Sequence, residues 1–326
     1  MTPGKWLQGA IMLAVIGLGT TGTAAAQAYP TKPVRLIVPS GPGGPPDIRA
    51  RWLAEKLSPA LGQPVIVDNK SGAGGIIGTE AGARSAPDGY TILLTHQGTV
   101  AINPHIYARL GYDPLKDFAP VSRLVVSALL LAVHPDAPVK SVGELLQLAK
   151  QSPGKLTYGS PGTGTPPHLA AELFKRMAGI DTLHVPYKSP APALFDLMGG
   201  RLSYTFDSLA IQMPQVKAGK IRALGVTSGQ RLASLPEIPT VAEAGLPGFE
   251  YWSWMGICAP AGTPRPIVAR LNQEIVHILG TQQAKDWFAA EGGEPKGETP
   301  EEFAAFILAE HARWGKVIRE AGIKAD

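Results

Sequence analysis

The sequence predicts an α/β fold in two lobes, each a mostly parallel sheet flanked by helices. Short β-rich runs alternate with helical segments from Val34 onward, and the same alternation restarts at Ser141. This alternation is typical of parallel α/β units. Two further segments, residues 121–133 and 250–259, are predicted to be strands that pass between the lobes. Because the chain crosses twice, the arrangement is that of a hinged clamshell with a cleft between its halves.

The first lobe is predicted from repeated strand–loop–helix units. Buried parallel strands are expected over residues 34–38, 65–67 and 90–95. Apolar residues at helical spacing predict helices over 47–61 and 76–83, each after a glycine-rich loop. Three C-terminal helices are expected over residues 264–279, 282–291 and 300–322. We therefore assign residues 29–125 and 250–326 to the first lobe.

The second lobe, residues 126–249, repeats the same alternation. Ser141 and Glu144 form a capping box ahead of its first helix. The predicted strands cover residues 156–159, 183–185, 202–206 and 221–226. The predicted helices cover residues 167–177, 191–198 and 209–217.

Residues 1–28 are predicted to be a cleaved signal peptide. Lys5 supplies the basic end, residues 7–18 the apolar run, and Ala26-Gln27-Ala28 the small-residue pattern before the cut. The apolar run is short and interrupted by glycines, which favours cleavage after Ala28 over the alternative of an uncleaved membrane anchor. The sequence therefore predicts a secreted protein that begins at Tyr29.

Composition and motifs exclude several classes of function. The formal net charge of +4 comes from scattered basic residues, so nucleic acid is not a predicted partner. Residues 72–78 fail the dinucleotide fingerprint, and neither a P-loop nor a nucleophile elbow occurs. The seven histidines lack metal-ligand spacing, and Cys258 has no second thiol. We therefore predict no cofactor, no metal and no catalytic residue.

A loop dense in Gly, Ser and Thr has the composition of an anion site. Ser160, Thr163 and Thr165 offer hydroxyl groups, and Gly164 lets the backbone approach a ligand closely. The helix that follows presents the positive end of its dipole, and His168 lies one turn into it. A carboxylate fits such a pocket as well as a phosphate does; the alternative is a tight connection without a ligand.

A second loop has the same layout, which suggests that one ligand is held from two sides. Ser40, Gly43 and Gly44 are its predicted hydrogen-bond donors. The Pro pair that follows them carries no N–H groups, so this loop offers fewer donors than the other. Asp47 starts the helix, where its carboxylate either caps free N–H groups or meets a ligand amine.

Blocks of sequence from Tyr29 to the C-terminus form an ordered set: residues 38–51 and 69–78, then PDGYTILL, AINPHIY, YDPLKDFAPV, YGSPGTGTPPHLAAELF, VPYKSPAPALFDLMGGRL, GKIRALGVT, PTVAEAGLPGFE and APAGTP. Together they resemble the Bug family, the extracytoplasmic receptors of tripartite tricarboxylate transporters. The resemblance implies a type II periplasmic-binding-protein fold that closes on its solute in the periplasm.

The resemblance also implies the ligand, the partners and further site residues. A carboxylate would be held between the two loops, and the turn His96-Gln97-Gly98-Thr99, Tyr187 and Asp207 would complete the cleft. The implied partners are a small organic carboxylate and the membrane permease subunits of a tripartite tricarboxylate transporter. The receptor itself would be a monomer.

The first loop departs from the pattern of the family it resembles. Ser40 stands where an aromatic residue is usual, and Pro45 and Pro46 replace small or hydroxyl residues. Ser189 replaces a usual Gly, so the class of acid is left open. Two other functions also stay open: a secreted α/β enzyme acting on an acyl or phosphate group, and an orphan receptor that feeds a sensor kinase.

Overall fold

The computed structural model describes residues 29–321. The predicted signal peptide, with its cut after Ala28, lies outside the described residues, as does the end of the helix predicted over 300–322. No helix within 29–321 combines the length and the apolar character that crossing a bilayer requires.

The described strands, in chain order, are β1 (Val34–Val38), β2 (Val65–Asn69), β3 (Thr91–His96), β4 (Phe118–Ser127), β5 (Leu129–Val133), β6 (Thr157–Ser160), β7 (Leu183–Pro186), β8 (Tyr204–Ser208), β9 (Arg222–Val226), β10 (Ser253–Pro260) and β11 (Gly293–Pro295). The described helices are α1 (Pro45–Leu61), α2 (Ile76–Ala83), α3 (Asn103–Ile106), α4 (Val142–Gln151), α5 (Pro166–Ala178), α6 (Pro190–Met198), α7 (Leu209–Lys217), α8 (Arg265–Gly280), α9 (Gln282–Ala290) and α10 (Pro300–Ala321).

The strands form two sheets, one for each predicted lobe. The first has the order β11-β4-β10-β3-β1-β2, in which β10 and β11 run antiparallel to their neighbours. The second has the order β7-β6-β8-β5-β9, in which β5 runs against its two neighbours. The remaining described pairs, β1 with β2 and β3 and β6 with β7 and β8, are parallel. The predicted two-lobed α/β class is confirmed.

The unit from β1 to α1 shows how local sequence produces this fold. β1 is buried apart from Arg35 and pairs with a strand on each side. Gly44 is the N-cap of α1, and the Pro pair occupies the first helical positions, where a fixed φ suits a helix. The helix stops at Gly62, whose φ of 70° is left-handed and whose N–H donates to the Pro59 carbonyl at 3.3 Å.

The segment predicted as one strand crossing over 121–133 does pass from one sheet to the other, but it forms two strands, because the chain changes sheets at Ala128. β4 ends and β5 begins on either side of this residue. Its N–H donates to the Gly292 carbonyl at 3.1 Å in the first lobe, whereas the Leu129 N–H donates to the Thr227 Oγ1 at 2.8 Å in the second. Apolar β-rich residues continue through the junction, so composition alone does not mark it.

The hydrophobic cores follow the sheets in the main, but segments assigned to the first lobe also contribute to the core of the second, among them Ala101, Ile102 and Ile106 and the end of α10. Trp314 and Ile318 belong to a helix assigned to the first lobe, yet they pack with Tyr158 and Phe174 in the core of the second. The predicted lobe limits, 29–125 with 250–326 and 126–249, therefore stay a prediction. The single cysteine, at position 258, is buried in the first lobe, as expected of an inert thiol.

Candidate functional site

A cavity of about 660 Å³ lies where the carboxyl ends of strands from both sheets converge. Segments that follow β1, β2 and β3 line one side, and segments that follow β6, β7 and β8 line the other. Ligands of open α/β sheets bind at this end of the strands. The cavity is therefore the candidate site.

The cavity brings together part of the predicted set. The predicted residues on its lining are Ser40, Gly44, His96, Thr163, Thr165, Tyr187 and Asp207. The predicted residues that are not on the lining are Gly43, Asp47, Gln97, Gly98, Thr99, Ser160, Gly164 and His168. Several of this second group support the lining through hydrogen bonds.

Asp47, in the first turn of α1, holds the first loop in shape through hydrogen bonds. The Gly43 N–H donates to the Asp47 Oδ2 at 2.9 Å, and the Arg51 Nε donates to the same oxygen at 3.1 Å. Burial opposes ionisation of Asp47, but these hydrogen bonds hold the pKa of its carboxyl group below the ordinary value. Asp47 therefore serves the loop as an anion, and Ser40 and Gly44 remain to face the cavity.

The second loop is held by two buried side chains. The Ser160 hydroxyl lies 2.7 Å from the His184 Nε2 and accepts the Gly162 N–H at 3.2 Å. The Gly164 N–H donates to the His168 Nδ1 at 3.3 Å, and burial lowers the pKa of His168 to about 3, so this imidazole is a neutral acceptor. These contacts position the loop without reaching into the cavity themselves.

The starts of α1 and α5 offer few backbone N–H donors to the cavity. Both α1 and α5 begin with a Pro pair, so the first two helical positions carry no N–H groups. The N–H groups of Gly44 and Thr163, and the Thr163 hydroxyl, have no hydrogen-bond partner among residues 29–321. Each lobe therefore presents at least one free N–H group that a carboxylate can use.

The segment 96–99, predicted as a polar turn, is buried and leads into helical turns. The His96 Nδ1 accepts the Gly98 N–H at 3.1 Å, and burial lowers the pKa of His96 to about 4. The ring is therefore neutral near pH 7, and its remaining N–H is on the Nε2 atom. Gln97 is engaged elsewhere, donating to the Glu310 Oε2 at 2.9 Å.

Two lining residues of the second lobe offer different chemistry. The Tyr187 hydroxyl donates to the Asp196 Oδ2 at 2.5 Å and is thus already engaged. Asp207 accepts the Ser208 N–H at 2.7 Å, and no cation in the described chain pairs with it. Burial raises the pKa of Asp207 to about 7. The cavity therefore contains a carboxyl group that changes charge near neutral pH.

Sequence reasoning missed the buried arginine and the serines of the lining. Arg49 is 2% exposed and lines the cavity. Its spacing of four residues to Leu53, and of four more to Leu57, places all three on the buried face of α1. This periodicity is the feature of the sequence from which burial of Arg49 could have been predicted. Ser127 and Ser253 meet through the pairing of β4 with β10, which no local pattern reveals.

The glycine loop after β2, predicted as the connection to the helix over 76–83 and not as part of the site, also lines the cavity. Gly74 has a φ of 61°, and its carbonyl accepts the Asn103 Nδ2 at 3.1 Å. A Cβ atom at this position would lie 3.4 Å from the Thr163 carbonyl oxygen, in the opposite lobe. Loops of the two lobes therefore meet beside the cavity, and a side chain there would disturb the contact.

One serine–histidine pair bears on the alternative of a secreted enzyme. Ser160 and His184 are close enough for a nucleophile and a base. However, Ser160 is 1% exposed and is not on the cavity lining, and its hydroxyl also binds the Gly162 carbonyl at 3.1 Å. The pair is thus part of the loop support. Residues 29–321 also contain no cluster of three or more His, Cys, Asp or Glu side chains suited to a metal ion.

The comparisons with known proteins point to one family. The model of the tripartite tricarboxylate transporter family receptor matches residues 49–323. Protein BugT of Bordetella pertussis is 38% identical over 96% of this chain and 98% of its own length. The resemblance to the Bug family noted from the sequence is thereby confirmed.

Two solved structures extend the similarity to the fold. The structure titled R. palustris Rpa4515 with adipate has a TM-score of 0.87 and 42% identity, covering 91% of this chain and 99% of that one. MatC (Rpa3494) from Rhodopseudomonas palustris, with bound malate, has a TM-score of 0.82 and 32% identity, covering 89% of this chain and 100% of that one. With the family model matching most of its length and these relatives covering nearly all of it, this chain belongs to the Bug family, the solute-binding receptors of tripartite tricarboxylate transporters.

Proposed function

We propose that this protein is a monomeric, non-enzymatic periplasmic receptor that holds a small organic carboxylate in the cavity between its lobes. The supporting observation is that unpartnered donors from both lobes, the N–H groups of Gly44 and Thr163, lie on one cavity. A ligand that contacts both lobes stabilises the closed form, whereas a ligand that contacts one lobe does not. The closed form then delivers the acid to the membrane permease subunits of a tripartite tricarboxylate transporter.

The relatives support the same class of ligand. One neighbour was solved with adipate and another with malate, both small carboxylates. The lining of this protein suits such ligands because its free donors are N–H and hydroxyl groups, which bind a carboxylate without supplying a reacting group.

An acid that fits the site should raise the melting temperature of the purified protein, and its amide should not. A ligand present at about 100 times its dissociation constant stabilises a fold by roughly 2.7 kcal/mol, which thermal unfolding resolves. The panel contains adipate, malate and monocarboxylates of matched length, each beside its fully amidated form, which is the diamide for a diacid. Equal shifts by an acid and its amide would contradict the carboxylate site. Chemical conversion of a bound acid, lost on replacing Ser160 or His184 by alanine, would instead support an enzyme.

Removal of the predicted signal peptide gives a second expected result, which tests the periplasmic location. Protein recovered from the periplasm of an expression host should begin at Tyr29, as measured by intact mass and N-terminal sequencing. Retention of residues 1–28 in a membrane fraction would contradict the cleaved signal peptide and favour the anchor. Replacing Ala28 by a bulky residue such as phenylalanine provides the control, because it disrupts the small-residue pattern that the protease reads.

A further inference from the structure

Arg49 is a buried cation on the cavity wall that the protein only partly satisfies. Its Nη2 donates to the Ser127 Oγ at 2.9 Å, and its Nη1 lies 3.6 Å from the Met255 sulfur, a weak acceptor. The Nε is buried and has no hydrogen-bond partner. A guanidinium group carries five N–H donors, so most of its capacity is unused.

The acidic neighbour of Arg49 is a poor counterion. The Glu291 Oε2 lies 3.8 Å from the Arg49 Nε, too far for a hydrogen bond, and this oxygen is itself buried without a partner. Burial raises the pKa of Glu291, and the charge of Arg49 opposes this only in part. Burial also lowers the pKa of Arg49 to about 10, but the guanidinium remains charged at neutral pH. A buried charge in this state needs an anion.

The rest of the lining does not supply that anion. Asp207, the acidic residue on the described lining, is not ion-paired with Arg49. The Pro pairs at the starts of α1 and α5 remove backbone N–H donors from the lining. Arg49 is the buried cation of the described lining; Lys188 also lies there, but its side chain is exposed. An acidic group that reaches this wall of the cavity therefore meets a fixed positive charge at Arg49.

Ser208, a residue of the second lobe, also has an unused hydrogen-bonding group at the junction of the two sheets. The Ser208 hydroxyl is buried, lines the cavity and has no partner. Ser208 pairs with Leu129, two residues beyond the Ser127 that Arg49 contacts, so both serines lie at the junction of the two sheets. A carboxylate at this junction could thus accept from Arg49 and from Ser208, which belong to different lobes.

We propose that Arg49 binds a second acidic group of the solute, so that the site selects dicarboxylates over monocarboxylates. The inference rests on the proposed function, which places the first carboxylate at the donors of Gly44 and Thr163. The planar fork of a guanidinium matches a carboxylate with two parallel hydrogen bonds, which a lysine cannot reproduce. Arg49 is accordingly a specificity-determining residue of the receptor.

Calorimetric titration of adipate against its monoamide tests the proposal. The wild type should bind adipate at least about 10-fold more tightly than the monoamide, because a charge-assisted hydrogen bond adds roughly 1.5–3 kcal/mol. Arg49→Met should reduce adipate affinity by about 10- to 100-fold and leave monoamide affinity nearly unchanged, so the preference disappears. Malate and its monoamides repeat the measurement with a shorter acid.

Three further variants separate recognition from folding. Arg49→Lys keeps the charge but not the fork and should retain only part of the preference, which gives a result even if Arg49→Met folds poorly. Glu291→Gln removes the neighbouring acid and keeps the guanidinium, so it should preserve the preference. Arg84→Met, at an exposed arginine paired with Glu80 away from the lining, is the matched control and should change nothing.

The outcomes are distinguishable. Full retention of the adipate preference in both Arg49→Met and Arg49→Lys overturns the role of Arg49. Equal binding of adipate and its monoamide by the wild type overturns the selection of dicarboxylates, while the carboxylate receptor itself still stands. If the wild type binds none of the acids, the proposed function fails along with the inference.

Discussion

Replacing Glu310 by alanine is expected to lower the free energy of unfolding by about 3–5 kcal/mol, since it removes the common acceptor of three buried donors. The Glu310 Oε2 accepts the Gln97 Nε2 at 2.9 Å, the Trp254 Nε1 at 3.0 Å and the Trp314 Nε1 at 3.1 Å. Gln97 follows β3, Trp254 lies in β10 and Trp314 in α10, so one carboxylate joins three distant parts of the chain. Glu310 is 6% exposed, and water therefore has little access to the orphaned donors.

Chemical denaturation and thermal unfolding measure this effect. For a chain of this size the loss corresponds to a fall of roughly 10 °C in the melting temperature. Glu301→Ala on the same helix is the matched control, because that carboxylate is exposed, and its cost should stay below about 1 kcal/mol. A Glu310→Ala variant as stable as its control would show that the three donors find other partners.

Replacing Asp207 by asparagine is expected to stabilise the ligand-free protein by on the order of 2–4 kcal/mol above pH 7. Burial raises the pKa of Asp207 to about 7. In the unfolded chain the pKa of Asp is about 3.9, so the folded state resists ionisation. The penalty is absent below about pH 4, grows as the pH rises and is complete above pH 7. Wild-type stability should thus fall relative to the Asp207→Asn variant across that range.

Ligand affinity should respond to the same group. An anionic solute in the cavity is repelled by ionised Asp207, so its affinity in the wild type should decrease as the pH rises through 7, and the Asp207→Asn variant should not show this decrease. His96 does not interfere, because its pKa is lowered to about 4. An affinity that increases with pH would indicate instead a ligand with a cationic group held by Asp207.

Local signals in the sequence were sufficient for most of the fold. Ser141 with Glu144 marks a helix start that is found where expected, whereas α1 begins at Pro45, two residues before the predicted start at Asp47. The strand predicted over 202–206 begins two residues before β8, and the segment predicted as one strand over 121–133 is divided at Ala128 into two. In both places apolar residues continue past the boundary, which is decided by pairing with distant strands.

The candidate site was less predictable, because its chemistry depends on contacts between distant segments. Glycine and hydroxyl residues in the loops could be recognised locally, and Ser40 and Thr163 do line the cavity. Arg49 was overlooked since a charged residue in a helix is usually exposed. Gln97 looked like a ligand contact, yet its amide is occupied by Glu310 and Tyr251. Only the tertiary structure decides which polar groups are already used.

The Pro pairs that start α1 and α5 have a consequence for competing ions. A helix start with several free N–H groups captures phosphate and sulfate, which are tetrahedral and accept from many directions. Here the first two positions of both helices offer no N–H, so such inorganic ions find few donors. The rings also fix the backbone before binding, which reduces the entropy lost when a solute is enclosed. The cavity is therefore expected to discriminate against phosphate and sulfate in favour of a carboxylate.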